Sequence, residues 1–299
     1  MDMWLNFLGW FLSIATAIGN AFVIFLIAKC HRLHSSPNWL VLSLAVVDFG
    51  VGFAVFPMAY VCNYSRACNM RVFVAFYWFF VHSSVTNLCS LTWDRYTAIV
   101  HPFKYHTSLT ARRPGVVIVL AWFIAFAIAL YLILGMYVTN SYTALKIMRL
   151  IGVSVFDMSS CIFLFYVVVR ILVVQALTNS ALKSQERHVR RNQALNQSFL
   201  PRRRKKRNAV GFIIAIVAFF LGCHVAVNYL VMCITFACNN LSDKAGLVVT
   251  VLLVGNSAAN PFVYAFLKRD IKREMKELIY GREAERRSTG ETTRSTSVI

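Results

Sequence analysis

Residues 38–61 read NWLVLSLAVVDFGVGFAVFPMAYV, a 24-residue run whose single charged side chain, Asp48, sits near its middle. At 1.5 Å per residue, about 20 apolar residues cross the roughly 30 Å of a bilayer's hydrocarbon. A soluble helix of that length would carry a polar face, and this run has none. Working outward, six further apolar stretches lie near 4–28, 70–95, 115–138, 147–173, 208–233 and 246–267. The third is the most polar, holding His82, Ser83, Ser84, Thr86 and Asn87. Polar residues inside a span face the bundle interior. The expected fold is an all-α membrane protein, a seven-transmembrane helix bundle spanning residues 1–280.

Composition supports that reading. The 299 residues are 58% hydrophobic and 14% charged, with a mean hydropathy of +0.60. Soluble domains average about 25% charged residues. So much apolar side chain excludes disorder, and eight cysteines are too sparse for a disulfide scaffold.

The 31 Lys and Arg against 12 Asp and Glu fix the orientation. Two basic residues lie in 29–37, four between Arg95 and Arg113, eleven in 170–207 and nine from Lys268 onward. Only five (Arg66, Arg71, Lys146, Arg149 and Lys244) fall on the other side. The positive-inside rule then puts the N-terminus outside and the C-terminus in the cytoplasm. The basic excess belongs to inner loops and anionic lipid, not to nucleic acid. Asp2 and the following Lys29 and Arg32 make the first span an uncleaved signal-anchor, with no sizeable domain ahead of it. The longest loop, 174–207, ends in the basic run Pro201-Arg202-Arg203-Arg204-Lys205-Lys206-Arg207. It suits anionic lipid and the docking of an inner partner. Asn63-Tyr64-Ser65 and Asn240-Leu241-Ser242 are glycosylation sequons on the outer side, with Asn63 and Asn240 as acceptors.

An ionisable group at mid-membrane costs at least ~2.5–3.5 kcal/mol, so each one asks for a reason. Asp48, Ser84, Asn256 and Asn260 bring a carboxylate, a hydroxyl and two amides to the middle of the bundle. They suit either an interhelical hydrogen-bond network or a small hard cation such as sodium. Asp94-Arg95-Tyr96 ends span three. Asn260-Pro261-Phe262-Val263-Tyr264 lies near the inner end of span seven, where the proline removes a helix hydrogen bond.

In order, Asn20, Leu44 with Asp48, Asp94-Arg95-Tyr96, Trp122, Tyr166 and Asn260-Pro261-x-x-Tyr264 resemble the motifs of the rhodopsin-like, or class A, G-protein-coupled receptors. The resemblance covers residues 4 to about 280. It implies an amphipathic helix over 268–280 and a disordered cytoplasmic tail over 281–299. It implies an agonist in the outer half of the bundle, outward movement of span six, and a cleft at Arg95 for a heterotrimeric G protein. Asp94, Arg95, Tyr96, Tyr166, Asn260, Pro261 and Tyr264 form the switch, and sodium is the ion implied at Asp48, Ser84, Asn256 and Asn260. The implied site is the plasma membrane. No enzyme chemistry is expected, since His and Cys spacing builds no metal or nucleophile set, and no internal repeat suggests a transporter.

Departures from the family pattern are specific. Span six reads Cys223-His224-Val225-Ala226 where the family has Cys-Trp-x-Pro, and Met158 stands at the span-five proline. Lys206 replaces the acid that latches Arg95. A missing latch predicts elevated basal signalling. His224 is read as a neutral, hydrogen-bonded pocket histidine, with proton sensing as the alternative. Residues 137–150 hold no cysteine, so the usual outer-loop disulfide is absent; Cys62–Cys68 or a Cys238 bridge remains. The short second outer loop, this absence and Met158 resemble, loosely, the melanocortin, adenosine and cannabinoid branch.

Val254 stands at the retinal-lysine position, so no retinal is expected, and Tyr77 stands at the amine-receptor aspartate, so the standard amine salt bridge is absent. The expected ligand pocket is Tyr77, Trp78, Val81, His82, Asp157, His224, Asn228, Val231 and Thr250. Asp157, the only other deep carboxylate, pairs with His82 or with a ligand cation. A small molecule, lipid or short peptide fits such a lining. The tail carries hydroxyls between Ser288 and Ser297 for a receptor kinase and arrestin, and it ends Ser297-Val298-Ile299, a candidate PDZ ligand. With no tail cysteine, palmitoylation is excluded.

Overall fold

The computed structural model describes residues 3–64, 68–138, 143, 147–148, 150–192, 200–236, 245–268 and 270–278. The described residues are helical, and seven helices are long and apolar enough to cross a membrane. Their membrane segments are Met3–Lys29, Ser36–Tyr64, Arg71–Val100, Pro114–Val138, Phe156–Ala181, Ile214–Cys233 and Ala245–Ala265. Large apolar side chains such as Phe7, Val119 and Ile162 stay more than 60% exposed, as lipid-facing residues should.

Local sequence explains the irregular turns. In span two a π turn, Val51–Val55, precedes Pro57, whose ring cannot tolerate the carbonyl four residues back, so the helix opens there. Span one packs against this turn. Its buried Ser13, Thr16 and Asn20 lie on one face, and the Ser13 hydroxyl donates to the Gly52 carbonyl. A Cβ on Gly52 would stand 2.7 Å from the Ala17 nitrogen, so only glycine allows this approach. Span three starts at Met70 with Asn69 as its cap, the side chain accepting from Arg71 and Val72 nitrogens at 3.1 and 3.3 Å.

The inner segment 174–207, read as a loop, is helix through Asn192 and again from Leu200. Residues 174–192 contain no Gly or Pro, so nothing in the chain stops the helix at the membrane boundary. Pro201 sits in the first turn of the next helix, where its missing N–H costs nothing. Span five begins later than the apolar run suggests, with a π turn at Leu150–Val155 before Phe156. Residues 270–278 form a separate helix after span seven. Ile271, Met275 and Leu278, at i, i+4 and i+7, turn its apolar face into the bundle. The Asn240 sequon, Cys238 and the tail over 281–299 lie outside the described residues.

Two apolar cores result. The inner one joins Leu26, Leu44, Leu88, Leu164, Phe220, Tyr264 and Ile271. The outer one joins Val55, Phe56, Tyr77, Trp78, Val227, Val231 and Val254.

Candidate functional site

At the inner end of span three, Arg95 Nη2 lies 3.3 Å from Asp94 Oδ2, and the Asp94 side chain is fully buried. Tyr105, in the short inner helix Pro102–Tyr105, donates to Asp94 Oδ1 at 3.2 Å. Burial, and next the Asp94 charge, push the Tyr105 hydroxyl up to about 12, so it remains a proton donor. Tyr96 packs between Trp93 and His101. Pro261 lies inside the span-seven helix, and a Cβ on Gly19 would meet its ring at 3.0 Å. Tyr264 is fully buried in the inner core, whereas Tyr166 is 53% exposed and takes no part in that core. The two tyrosines expected to act together therefore stand in different environments here.

Just past span seven, Lys268 donates to Asn38 Oδ1, and Asn38 Nδ2 donates to the Leu33 carbonyl at 2.7 Å. This chain of contacts ties the start of the surface helix to the first inner loop. Burial and the nearby Arg95 charge bring Lys268 down from 10.5 to about 7.

Mid-bundle, fully buried Asp48 takes three hydrogen bonds. Ser84 Oγ and Ser257 Oγ donate to Oδ1 at 2.9 and 2.7 Å, and Asn260 Nδ2 donates to Oδ2 at 2.6 Å. Asn256, expected in this group, is buried but is not among the donors; Ser257 takes that place. The signal was present, because Ser257 and Asn260 are three apart and share a helix face. A second network crosses spans two, three and four. Trp122 Nε1 donates to Ser43 Oγ at 3.0 Å, Ser43 donates to Asn87 Oδ1 at 2.6 Å, and Asn87 donates to the Ser83 carbonyl at 2.8 Å.

In the outer half, all nine residues of the expected pocket are buried. Trp78 stacks on His82 with centroids 5.4 Å apart, His82 meets Phe156 edge-on at 4.9 Å, and His224 stacks on Phe220 at 3.9 Å. Tyr77 faces Thr250 of span seven. Asp157 lies nearest His224, not His82: His224 Nδ1 is 3.9 Å from Asp157 Oδ2, beyond hydrogen-bond reach. The reason is the pairing of spans. Asp157 opens the span-five helix after its π turn and is directed across to span six.

Cys62 and Cys68 form a disulfide that joins the end of span two to the start of span three. Cys30, Cys89, Cys161, Cys223 and Cys233 are free. Asn63, beside the bridge, is exposed in the last helical turn of span two. Above the bridge, Arg71 lies over the Tyr137 ring at 4.6 Å and links spans three and four, a contact that residue spacing alone does not announce.

Residues 19–264 match the 7 transmembrane receptor (rhodopsin family). Trace amine-associated receptor 9 of Rattus norvegicus is 25% identical over 291 residues, covering 90% of this chain and 85% of that receptor. Its Homo sapiens counterpart is 34% identical over 116 residues, 37% of this chain and 33% of that receptor. The Mus musculus 5-hydroxytryptamine receptor 1B is 31% identical over 124 residues, 40% of this chain and 32% of that receptor. The last two alignments thus span about a third of the relatives they match. The family match, by contrast, runs from within span one to Tyr264 and takes in every span, and on that extent the chain belongs to the rhodopsin family of seven-transmembrane receptors, the class A G-protein-coupled receptors.

Proposed function

We propose that this multi-pass receptor has its N-terminus outside the plasma membrane and its C-terminus in the cytoplasm. It binds a small organic amine in the outer half of the bundle. It then activates a heterotrimeric G protein by outward movement of span six. The single observation that carries the coupling is the Asp94 site, where one buried carboxylate holds both Arg95 and Tyr105 at the inner mouth. Releasing Arg95 from that carboxylate frees a guanidinium to line a cleft for the α-subunit. A ligand drives this only through its differential affinity for the open state. Amine chemistry is supported by the relatives, which are named for trace amines and 5-hydroxytryptamine. The buried lining favours a small ligand over a lipid or peptide.

Asp48, Ser84 and Ser257, with Asn260, form an oxygen-rich set suited to a sodium ion, the carboxylate supplying the charge. Sodium there would favour the closed bundle. Arrestin and a receptor kinase act on the tail hydroxyls, a PDZ domain takes Ser297-Val298-Ile299, and Asn63 carries a glycan.

The test is guanine-nucleotide exchange in membranes holding wild type or Arg95→Ala, against a panel of G proteins. Basal exchange that falls in the variant supports coupling through Arg95. Equal exchange in both, or none above empty membranes with any amine added, overturns it.

A further inference from the structure

Among the described residues, four acids are buried: Asp48, Asp94, Asp157 and Glu274. Three of them are answered. Asp48 accepts three hydrogen bonds, Asp94 holds Arg95 and Tyr105, and Glu274 meets Arg273 at 3.3 Å. Asp157 is not answered. It is 1% exposed, and neither carboxylate oxygen has a hydrogen-bond donor. The nearest cationic candidate, His224 Nδ1, stops 3.9 Å short and has no hydrogen bond of its own. A buried carboxylate left without a donor is costly, and its presence asks for an explanation.

The surroundings define what completes it. No Lys or Arg among the described residues pairs with Asp157. No three His, Cys, Asp or Glu side chains among the described residues are grouped to hold a metal ion. A run of aromatic contacts begins at the residue beside it instead. Phe156 precedes it and packs on His82, which stacks on Trp78, and Trp78 meets Tyr77 edge-on. Tyr77 lies within electrostatic reach of the Asp157 carboxylate. A buried carboxylate without a donor, with aromatic side chains on the neighbouring spans, is the chemistry that recognises an organic ammonium group, through charge-assisted hydrogen bonds and cation–π attraction.

We infer that Asp157 is the anchor for the protonated amine of the ligand, and that the ammonium bound there stands beside His224. The inference rests on the reading of the ligand as an amine, and adds where the charge lands and what moves. His224 belongs to span six and Asp157 to span five. An ammonium on the Asp157 oxygens fills the gap that separates them from His224 Nδ1. The ligand's charge thereby acts directly on the helix whose inner end must move. Tyr77 belongs to span three and Asp157 to span five, so the amine lies between those two spans.

The experiment uses the full chain in nanodiscs and reads thermal unfolding and nucleotide exchange. The probes are 2-phenylethylamine, tyramine and 5-hydroxytryptamine, with 2-phenylethanol as the neutral counterpart of the first. Wild type is compared with Asp157→Asn, which keeps the shape and removes the charge, and with Asp157→Asn combined with Tyr77→Asp, which returns a carboxylate on span three. The expected result is an amine response in wild type that weakens at least about 30-fold in Asp157→Asn. The response to 2-phenylethanol stays as it was, and the double variant recovers part of the amine response. An amine response that survives Asp157→Asn overturns the anchor and leaves the amine reading standing. Equal loss of amine and alcohol responses with no rescue also overturns it, as a structural role would. Failure of every amine on a wild type that shows basal exchange overturns the amine reading and the anchor together.

Discussion

Asp48 and Asp157 are the same side chain at nearly the same burial, 0% and 1% exposed, in opposite halves of one bundle. Asp48 accepts from Ser84, Ser257 and Asn260, and the inner core closes around it. Asp157 faces an imidazole at 3.9 Å and accepts nothing. The inner half therefore holds a carboxylate whose hydrogen bonds are supplied from within. The outer half carries an uncompensated charge site, built to be completed from outside. The difference separates a polar group that stabilises from one retained for a ligand.

The strongest way to break this comparison is the same substitution at both sites. Asp48→Leu strands three buried donors and should cost about 3 kcal/mol or more in unfolding free energy. Asp157→Leu removes a carboxylate with no partner and should stabilise by about 1–2 kcal/mol. Thermal unfolding of purified receptor reads both, and the expected shifts in Tm have opposite signs. A fall of similar size in both would show that Asp157 is satisfied after all and that the two halves are alike.

A smaller effect tests the inner half from its rim. Tyr105→Phe deletes one hydrogen bond to the Asp94 carboxylate, worth about 1.5 kcal/mol. Basal nucleotide exchange should rise by about tenfold, because Arg95 is then held by a carboxylate with one fewer anchor. Unchanged exchange would remove Tyr105 from the switch. Smaller again is Lys206→Glu, at the inner start of span six. It places an acid where the family pattern has one, a change of about 1 kcal/mol for such a pair, and should lower basal exchange about fivefold. Exchange that does not fall would mean that the missing latch sets nothing.

The sequence carried much of this, unevenly. Apolar runs as long as 38–61 have no other home than a bilayer, so the spans are readable from length alone. Asp48, Ser84 and Asn260 meet because one carboxylate in hydrocarbon must find donors. What stayed hidden depends on rotation and on neighbours. Ser257 rather than Asn256 reaches Asp48 because of how span seven is turned, and one residue is about 100° on a helix. Asp157 meets His224 rather than His82 because spans five and six come together there, a tertiary fact with no local signature. The helix running to Asn192 has no clear signature, because a polar, basic stretch reads as loop, although no Gly or Pro interrupts it. Tyr105 lies outside the segments that motif spacing singles out. Its partner Asp94 is eleven residues back and is reached only when the inner loop folds.

The last and smallest test concerns the junction between span seven and the helix over 270–278. Lys268 is partly buried and tied to Asn38, with burial and Arg95 holding it at about 7 against 10.5 when unfolded. Between those two values the unfolded chain binds a proton that the folded chain has released. The slope of unfolding free energy with pH is then positive, so this group makes the receptor more stable as pH rises from about 7 toward 10.5. Lys268→Met should remove that rise and leave a flatter curve over the same range, read by thermal unfolding between about pH 6.5 and 9.5. A variant with the same slope as wild type would place Lys268 in water and charged, and the tie to Asn38 would then contribute as little as any exposed contact. The expected flattening would show that the inner half, complete in its carboxylates, still keeps one basic group under tension.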